Sequence, residues 1–157
     1  MPIVTQIDGP ESVGAAEAEA VLRTLPEWFG IESALIGYAQ QAGKGMTFTA
    51  RHSGALVGFA TVRRHFATSG EITCIAVRRE DRGTGIGRLL VDAAQRWLVS
   101  EGVRWLQVKT LAESNPDPNY AQTRRFYLSQ GFEPLEEMPG LWGDANPCLI
   151  MVKTLSK

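Results

Sequence analysis

Little in this sequence suits a redox scaffold, a membrane span or a charged surface binder. Cysteine is scarce: only Cys74 and Cys148 occur, each inside an apolar run and neither in a CxxC or Cys/His spacing. That argues against a disulfide framework and a metal cluster, so no metal is expected, and both thiols should be buried as small apolar side chains. No apolar run approaches twenty residues and no secretory leader pattern is visible, so a cytoplasmic chain without a membrane partner is expected. Neither sign of charge dominates, with 16 Lys and Arg against 17 Asp and Glu. Broad binding to nucleic acid needs a basic excess, and a dedicated polyamine site would want an acidic cleft, so both are disfavoured. Repeats and low-complexity linkers are lacking, and 157 residues read as one domain, 1–157.

What is present is a regular succession of short elements. Pro2 to Ile7 alternates like a strand. Val13, Ala16, Ala20 and Val21 recur at helical spacing up to Pro26, and Ile31, Ala34, Leu35 and Tyr38 line one face of a second helix. Three strand-like segments follow, Met46–Arg51, Ala55–His65 and Glu71–Val77, with turns expected at Ser53-Gly54 and Ser69-Gly70. A long helix then opens at the glycine cluster 83–87, where Ile86, Leu89, Leu90, Ala93, Ala94, Trp97 and Leu98 make an apolar stripe. Arg104–Thr110 reads as a buried strand. Asp117 or Asn119 can cap a helix that runs to about Gln130 and stops at Gly131. Phe132–Glu136 and Cys148–Leu155 are the last two strands. Hairpins first and one right-handed crossover later make an α/β (α+β) sheet, not an alternating doubly wound one.

The chemistry concentrates in Glu71-Ile-Thr-Cys-Ile-Ala-Val77, a polar turn, and Arg82-Gly-Thr-Gly-Ile-Gly87. A helix N-terminus offers unpaired N–H donors and about half a positive charge. Glycines let several N–H groups turn toward one anion, and Arg82 and Arg88 add full charges, so the segment suits a phosphate or pyrophosphate. A P-loop would need Gly-Lys-Ser/Thr, which is missing. A dinucleotide fingerprint needs GxGxxG, whereas the spacing here is GxGxG after hairpin strands.

The segment matches every fixed position of Arg/Gln-x-x-Gly-x-Gly/Ala, the pyrophosphate loop of the GNAT superfamily of N-acetyltransferases. Tyr120-Ala-Gln-Thr-Arg-Arg-Phe126-Tyr127-Leu-Ser-Gln-Gly131-Phe132 resembles that family's fourth helix, except that Tyr120 stands where an Asn is common. The likeness spans about residues 46–155. It implies a mixed, mostly antiparallel central sheet with flanking helices and a splayed parallel strand pair, holding acetyl-CoA in the gap. By resemblance, the backbone of Ile75, Ala76 and Val77 would hold the pantetheine. Arg82, Gly83, Thr84, Gly85, Ile86, Gly87 and Arg88 would hold the pyrophosphate, with Tyr120 and Phe126 also against the cofactor.

Tyr127 matches the general acid that protonates the leaving CoA thiolate. Glu71 matches a general base whose pKa burial would raise. His65 could line the acceptor site with Glu71, whereas His52 reads as a solvated turn residue. Trp28, Phe29 and Trp142 lie in segments that flank the acceptor cleft in relatives, where core packing or lid closure is the expected role and packing against an apolar or cationic substrate the alternative. The implied reaction is direct transfer to a primary amine in a ternary complex, rather than through an acyl-Cys74. The alternative is a non-catalytic acyl-CoA sensor of the same fold. The acceptor would be a small-molecule or peptide amine. Relatives often pair, so a homodimer is among the assemblies the resemblance allows.

Overall fold

The computed structural model describes residues 3–155. Seven strands form one sheet in the order β1-β2-β3-β4-β5-β7-β6. In chain order these are β1 (Gln6–Glu11), β2 (Thr47–His52), β3 (Ala55–Phe66), β4 (Ser69–Val77), β5 (Trp105–Leu111), β6 (Glu133–Met138) and β7 (Cys148–Thr154). Helices α1 (Ala15–Arg23) and α2 (Glu32–Gln41) lie between β1 and β2. Helix α3 (Ile86–Ser100) crosses from β4 to β5, and α4 (Pro118–Ser129) leads from β5 to β6. Every neighbouring pair is antiparallel except β4 with β5. Among the described residues no helix is long and apolar enough to cross a membrane.

Two apolar cores lie on opposite faces of the sheet. One joins Leu22 and Leu35 of α1 and α2 to Phe59, Cys74 and Ala76. The other joins α3 and α4 to Val62, Ile72, Leu106, Val108 and Met151. Helix α3 buries Ile86, Leu90, Val91, Ala94 and Leu98, and each of the four larger side chains contributes roughly 1.5–3 kcal/mol when fully removed from water. Leu89, expected in that stripe, is exposed at the cleft-side start of the helix, and Val91 takes the inner position.

The sheet departs from simple alternation in β4. Thr61 pairs with Cys74 but Val62 with Ile72, so Thr73 is an extra residue, a bulge. The bulge reverses which face the later side chains meet: Ile72 packs toward α3, whereas Cys74 and Ala76 pack toward α1 and α2. Glu71, adjacent to Ile72, therefore shares the α1–α2 face with Cys74.

Two boundaries differ from those expected. The first strand is Gln6–Glu11 rather than Pro2–Ile7, because β2 pairs with Gln6 to Glu11 and not with the alternating residues before them; Pro2 lies outside the described residues. The β3–β4 turn falls at Ala67-Thr68, not Ser69-Gly70, because Phe66 already pairs with Ser69. The Ser53-Gly54 turn stands as expected, with both residues at positive φ.

Candidate active site

Strands β4 and β5 are paired over only three positions, Ser69 with Trp105 to Glu71 with Gln107. Beyond Glu71 they separate, and a cleft of about 840 Å³ opens between them, well within the size of a cofactor site. Its walls include Thr73 to Val77 of β4, Lys109 to Leu111 of β5, Asp81 to Gly83 and Gly85 to Arg88 of the glycine loop, and Tyr120, Phe126 and Tyr127 of α4. Among the described residues the backbone edge of β4 beyond Glu71 has no strand partner on this side, so its N–H and C=O groups are available to an extended ligand.

At one end the cleft meets the start of α3. Gly83 and Gly85 adopt φ of 77° and 90°, left-handed values that glycine reaches without strain. A Cβ built on either would meet nothing within 4 Å. The first hydrogen bond into the helix runs from the Leu89 N–H to the Gly85 carbonyl. Among the described residues no side chain caps the turn, so the N–H groups of residues 85–88 remain free donors there. Gly87 has a different reason: its Cβ would come within 3.1 Å of Cε1 and Cζ of Phe126, so α4 can seat its ring only because this position is bare. Asp117 caps α4 by accepting from the Asn119 N–H at 2.8 Å.

Trp28 ties this end together, a role its position in the sequence did not reveal. The guanidinium of Arg82 stacks 4.1 Å from the centroid of its ring. Its indole N–H donates to the Thr123 hydroxyl (3.0 Å) and the Asn119 carbonyl (3.2 Å). Tyr120 donates its hydroxyl to the Trp28 carbonyl at 2.9 Å. Burial pushes the Tyr120 phenol up to about 12, so it remains a donor at neutral pH. Arg79 fastens the loop to the end of α1 through Glu27 and Thr24. Burial, followed by the neighbouring Arg79, pulls Arg82 below the ordinary arginine value, yet a guanidinium stays charged.

Tyr127 is 6% exposed and lines the cleft between Phe126 and Phe132. Its hydroxyl makes no hydrogen bond among the described residues, and burial pushes its pKa well above the ordinary phenol value. Thr110, also in the cleft wall, has a buried hydroxyl without a partner among the described residues.

On the other face of the sheet, Glu71 is the hub of a charged cluster. Its side chain is 7% exposed. Oε1 lies 2.8 Å from Nε2 of His65 and accepts from Gln107 at 3.0 Å. Lys109 Nζ donates to both carboxylate oxygens, at 3.0 and 3.2 Å. The expected raised pKa is not found. Desolvation, the largest single influence, pushes it up. The hydrogen bonds from Gln107, His65 and Lys109, with the lysine charge, outweigh it and hold the carboxyl below its ordinary value. Nor is Glu71 a surface residue at a strand start: it lies inside β4, and Lys109, not Glu71, lines the cleft.

Phe29 and Trp142 line the cleft with Trp28. Ile75, Ala76 and Val77 lie on its β4 wall. Cys74 is buried there, its thiol pushed up to about 12 by desolvation, and Cys148 is buried in β7. His52 is not a solvated turn residue: it bonds the Thr5 hydroxyl at 2.9 Å and lies 3.6 Å from Asp81.

A parallel strand pair that parts beside a glycine-built helix N-terminus leaves a cleft open to an extended ligand. The comparisons agree. The acetyltransferase (GNAT) domain matches residues 43–134, more than half of the chain. An uncharacterized N-acetyltransferase of Chlorobaculum tepidum is 30% identical over 119 residues, covering 69% of this chain and 70% of that protein. A GNAT-family protein of Desulfovibrio desulfuricans shares the fold with a TM-score of 0.81 at 18% identity, over 98% of this chain and 100% of that one. An aminoglycoside 6'-N-acetyltransferase crystallised with coenzyme A has a TM-score of 0.74 at 18% identity, over 99% and 98%. The chain belongs to the GNAT family of acetyltransferases, enzymes whose acetyl donor is acetyl-CoA.

Proposed function

We propose that this chain acetylates a primary amine by direct attack within a ternary complex with acetyl-CoA, in the cytoplasm. The observation that carries the reading is the parting of β4 and β5 beyond Glu71, with a phosphate site at one end and Tyr127 beside the gap. The free N–H groups of residues 85–88, with Arg82 and Arg88, bind the pyrophosphate. Gly83 and Thr84 shape the turn, and Ile86 anchors it in the core. The open edge of Ile75, Ala76 and Val77 pairs with the pantetheine amides. Phe126 and Tyr120 close the α4 side.

Transfer forms a bond from the amine nitrogen to the thioester carbonyl carbon and breaks the carbon–sulfur bond. Tyr127 donates its proton to the departing thiolate, and its raised pKa keeps that proton in place until then. Glu71 is the proton sink on the acceptor face. Because Lys109 covers both carboxylate oxygens, the proton reaches Glu71 through water at that cluster and leaves through His65, which is partly exposed. Cys74 holds its proton too tightly to act as an acyl carrier. Two unpaired buried thiols are also in keeping with a reducing compartment.

Release of CoA thiol from acetyl-CoA across an amine panel, in wild type and Tyr127→Phe, tests this reading. Amine-dependent release that collapses in the variant, with acetyl-CoA affinity retained, supports it. Tight acetyl-CoA binding without release for any amine favours a non-catalytic sensor.

A further inference from the structure

The charge around the cleft is distributed unevenly. Among the described residues four charged side chains line it. Asp81, Arg82 and Arg88 belong to the phosphate loop, and Asp81 is already engaged by Arg78. The fourth, Lys109, stands alone on β5. The carboxylate nearest to it, Glu71, does not line the cleft and is bound by Lys109, His65 and Gln107. The Lys109–Glu71 pair is thus a dipole whose positive end faces the cleft, and one of the three ammonium protons remains for a ligand. Apolar side chains also line the cleft: Phe29 packs edge-on against Tyr38 at 5.8 Å. Ile31 and Trp142, both cleft residues, are 62% and 41% exposed.

Resting on the acetyltransferase reading, we infer that the acceptor is a small amine bearing a carboxylate beside an apolar or aromatic body, as in a hydrophobic α-amino acid. Lys109 takes the carboxylate, which places the neighbouring amine beside the Glu71 cluster at the point where β4 and β5 part. Phe29, Ile31 and Trp142 cover the apolar body. A polycation finds no carboxylate to pair with in this half of the cleft and meets an ammonium instead, at a cost that selects against it. A peptide N-terminus lacks the adjacent carboxylate.

The test compares free phenylalanine, tyrosine and methionine with their amides, with spermidine and with an aminoglycoside. Each is assayed as acceptor with wild-type enzyme whose acetyl-CoA binding has been verified calorimetrically. Acids should exceed their amides in kcat/KM by at least tenfold. Lys109→Gln should erase that preference while acetyl-CoA still binds. Because that variant strands a buried carboxylate and can misfold, the wild-type acid-to-amide ratio decides by itself. Amides, polyamines or the aminoglycoside acetylated as well as the acids, or no acid acetylated at all, would overturn the inference and leave the family reading intact. Failure to bind acetyl-CoA would overturn that reading and this inference with it.

Discussion

At the end of the cleft proposed for the phosphates, the groups offered to a ligand are mainly backbone: free N–H donors of residues 85–88, exposed because Gly83 and Gly85 turn the chain through left-handed φ. At the end proposed for the acceptor they are side chains, Lys109, Phe29, Ile31 and Trp142, brought from three separate segments. The first end depends on where the backbone can go, which a few glycines at fixed spacing dictate. The second depends on which side chains tertiary packing gathers. A backbone site should tolerate loss of neighbouring side chains but fail when its own glycine acquires one. A side-chain site should respond in a graded way.

The largest expected effect follows at Gly85. Glutamate there would project into the open cleft, strain a φ of 90° and bring a negative charge to the phosphate site. Acetyl-CoA affinity measured by calorimetry should fall by at least about 100-fold, near 2.7 kcal/mol, with the far-UV circular dichroism unchanged. Next comes Tyr127→Phe, where loss of one proton donor should reduce kcat by roughly 100-fold or more, leaving acetyl-CoA affinity within a few-fold of wild type. Retained turnover would remove Tyr127 from the mechanism.

Smaller effects are expected where side chains support one another. Glu71→Gln leaves Lys109 without its counter-charge and should lower unfolding stability at neutral pH by about 1–3 kcal/mol, the scale of an unsatisfied buried polar group. A carboxyl whose folded pKa lies below its unfolded value of 4.5 stabilises the fold above that pH, and the stabilisation is lost as pH falls through the folded value. Urea titrations should therefore show the gap between wild type and variant closing as pH drops below 4.5. A constant gap would mean that Glu71 acts by shape alone. The smallest effect belongs to Trp28→Leu. It removes the stacking on Arg82 and two donated hydrogen bonds, and should weaken acetyl-CoA binding by roughly two- to fivefold, the scale of a part-exposed cation–π contact.

The same division explains what could be read from the chain beforehand. The element order, the loop 82–88 and the Tyr127 helix ending at Gly131 are encoded locally, by glycine placement and apolar periodicity. The start of β1 and the β3–β4 turn were misplaced because pairing with β2 and β3, not local pattern, sets them. The depressed pKa of Glu71 was illegible because its partners His65, Gln107 and Lys109 lie up to 38 residues away and meet only across three strands. A bulge at Thr73 sets which face the later β4 residues meet. Trp28 gave no local sign of its link to Asn119, 91 residues on.

The parted strands and the glycine loop should together bind acetyl-CoA. Calorimetric titration of the wild-type protein with acetyl-CoA, then with CoA and with NADH, tests it most directly. Micromolar binding of both CoA species, near −8 kcal/mol, with none of NADH, is the predicted result. Heat from NADH alone, or from none of the three, would contradict it.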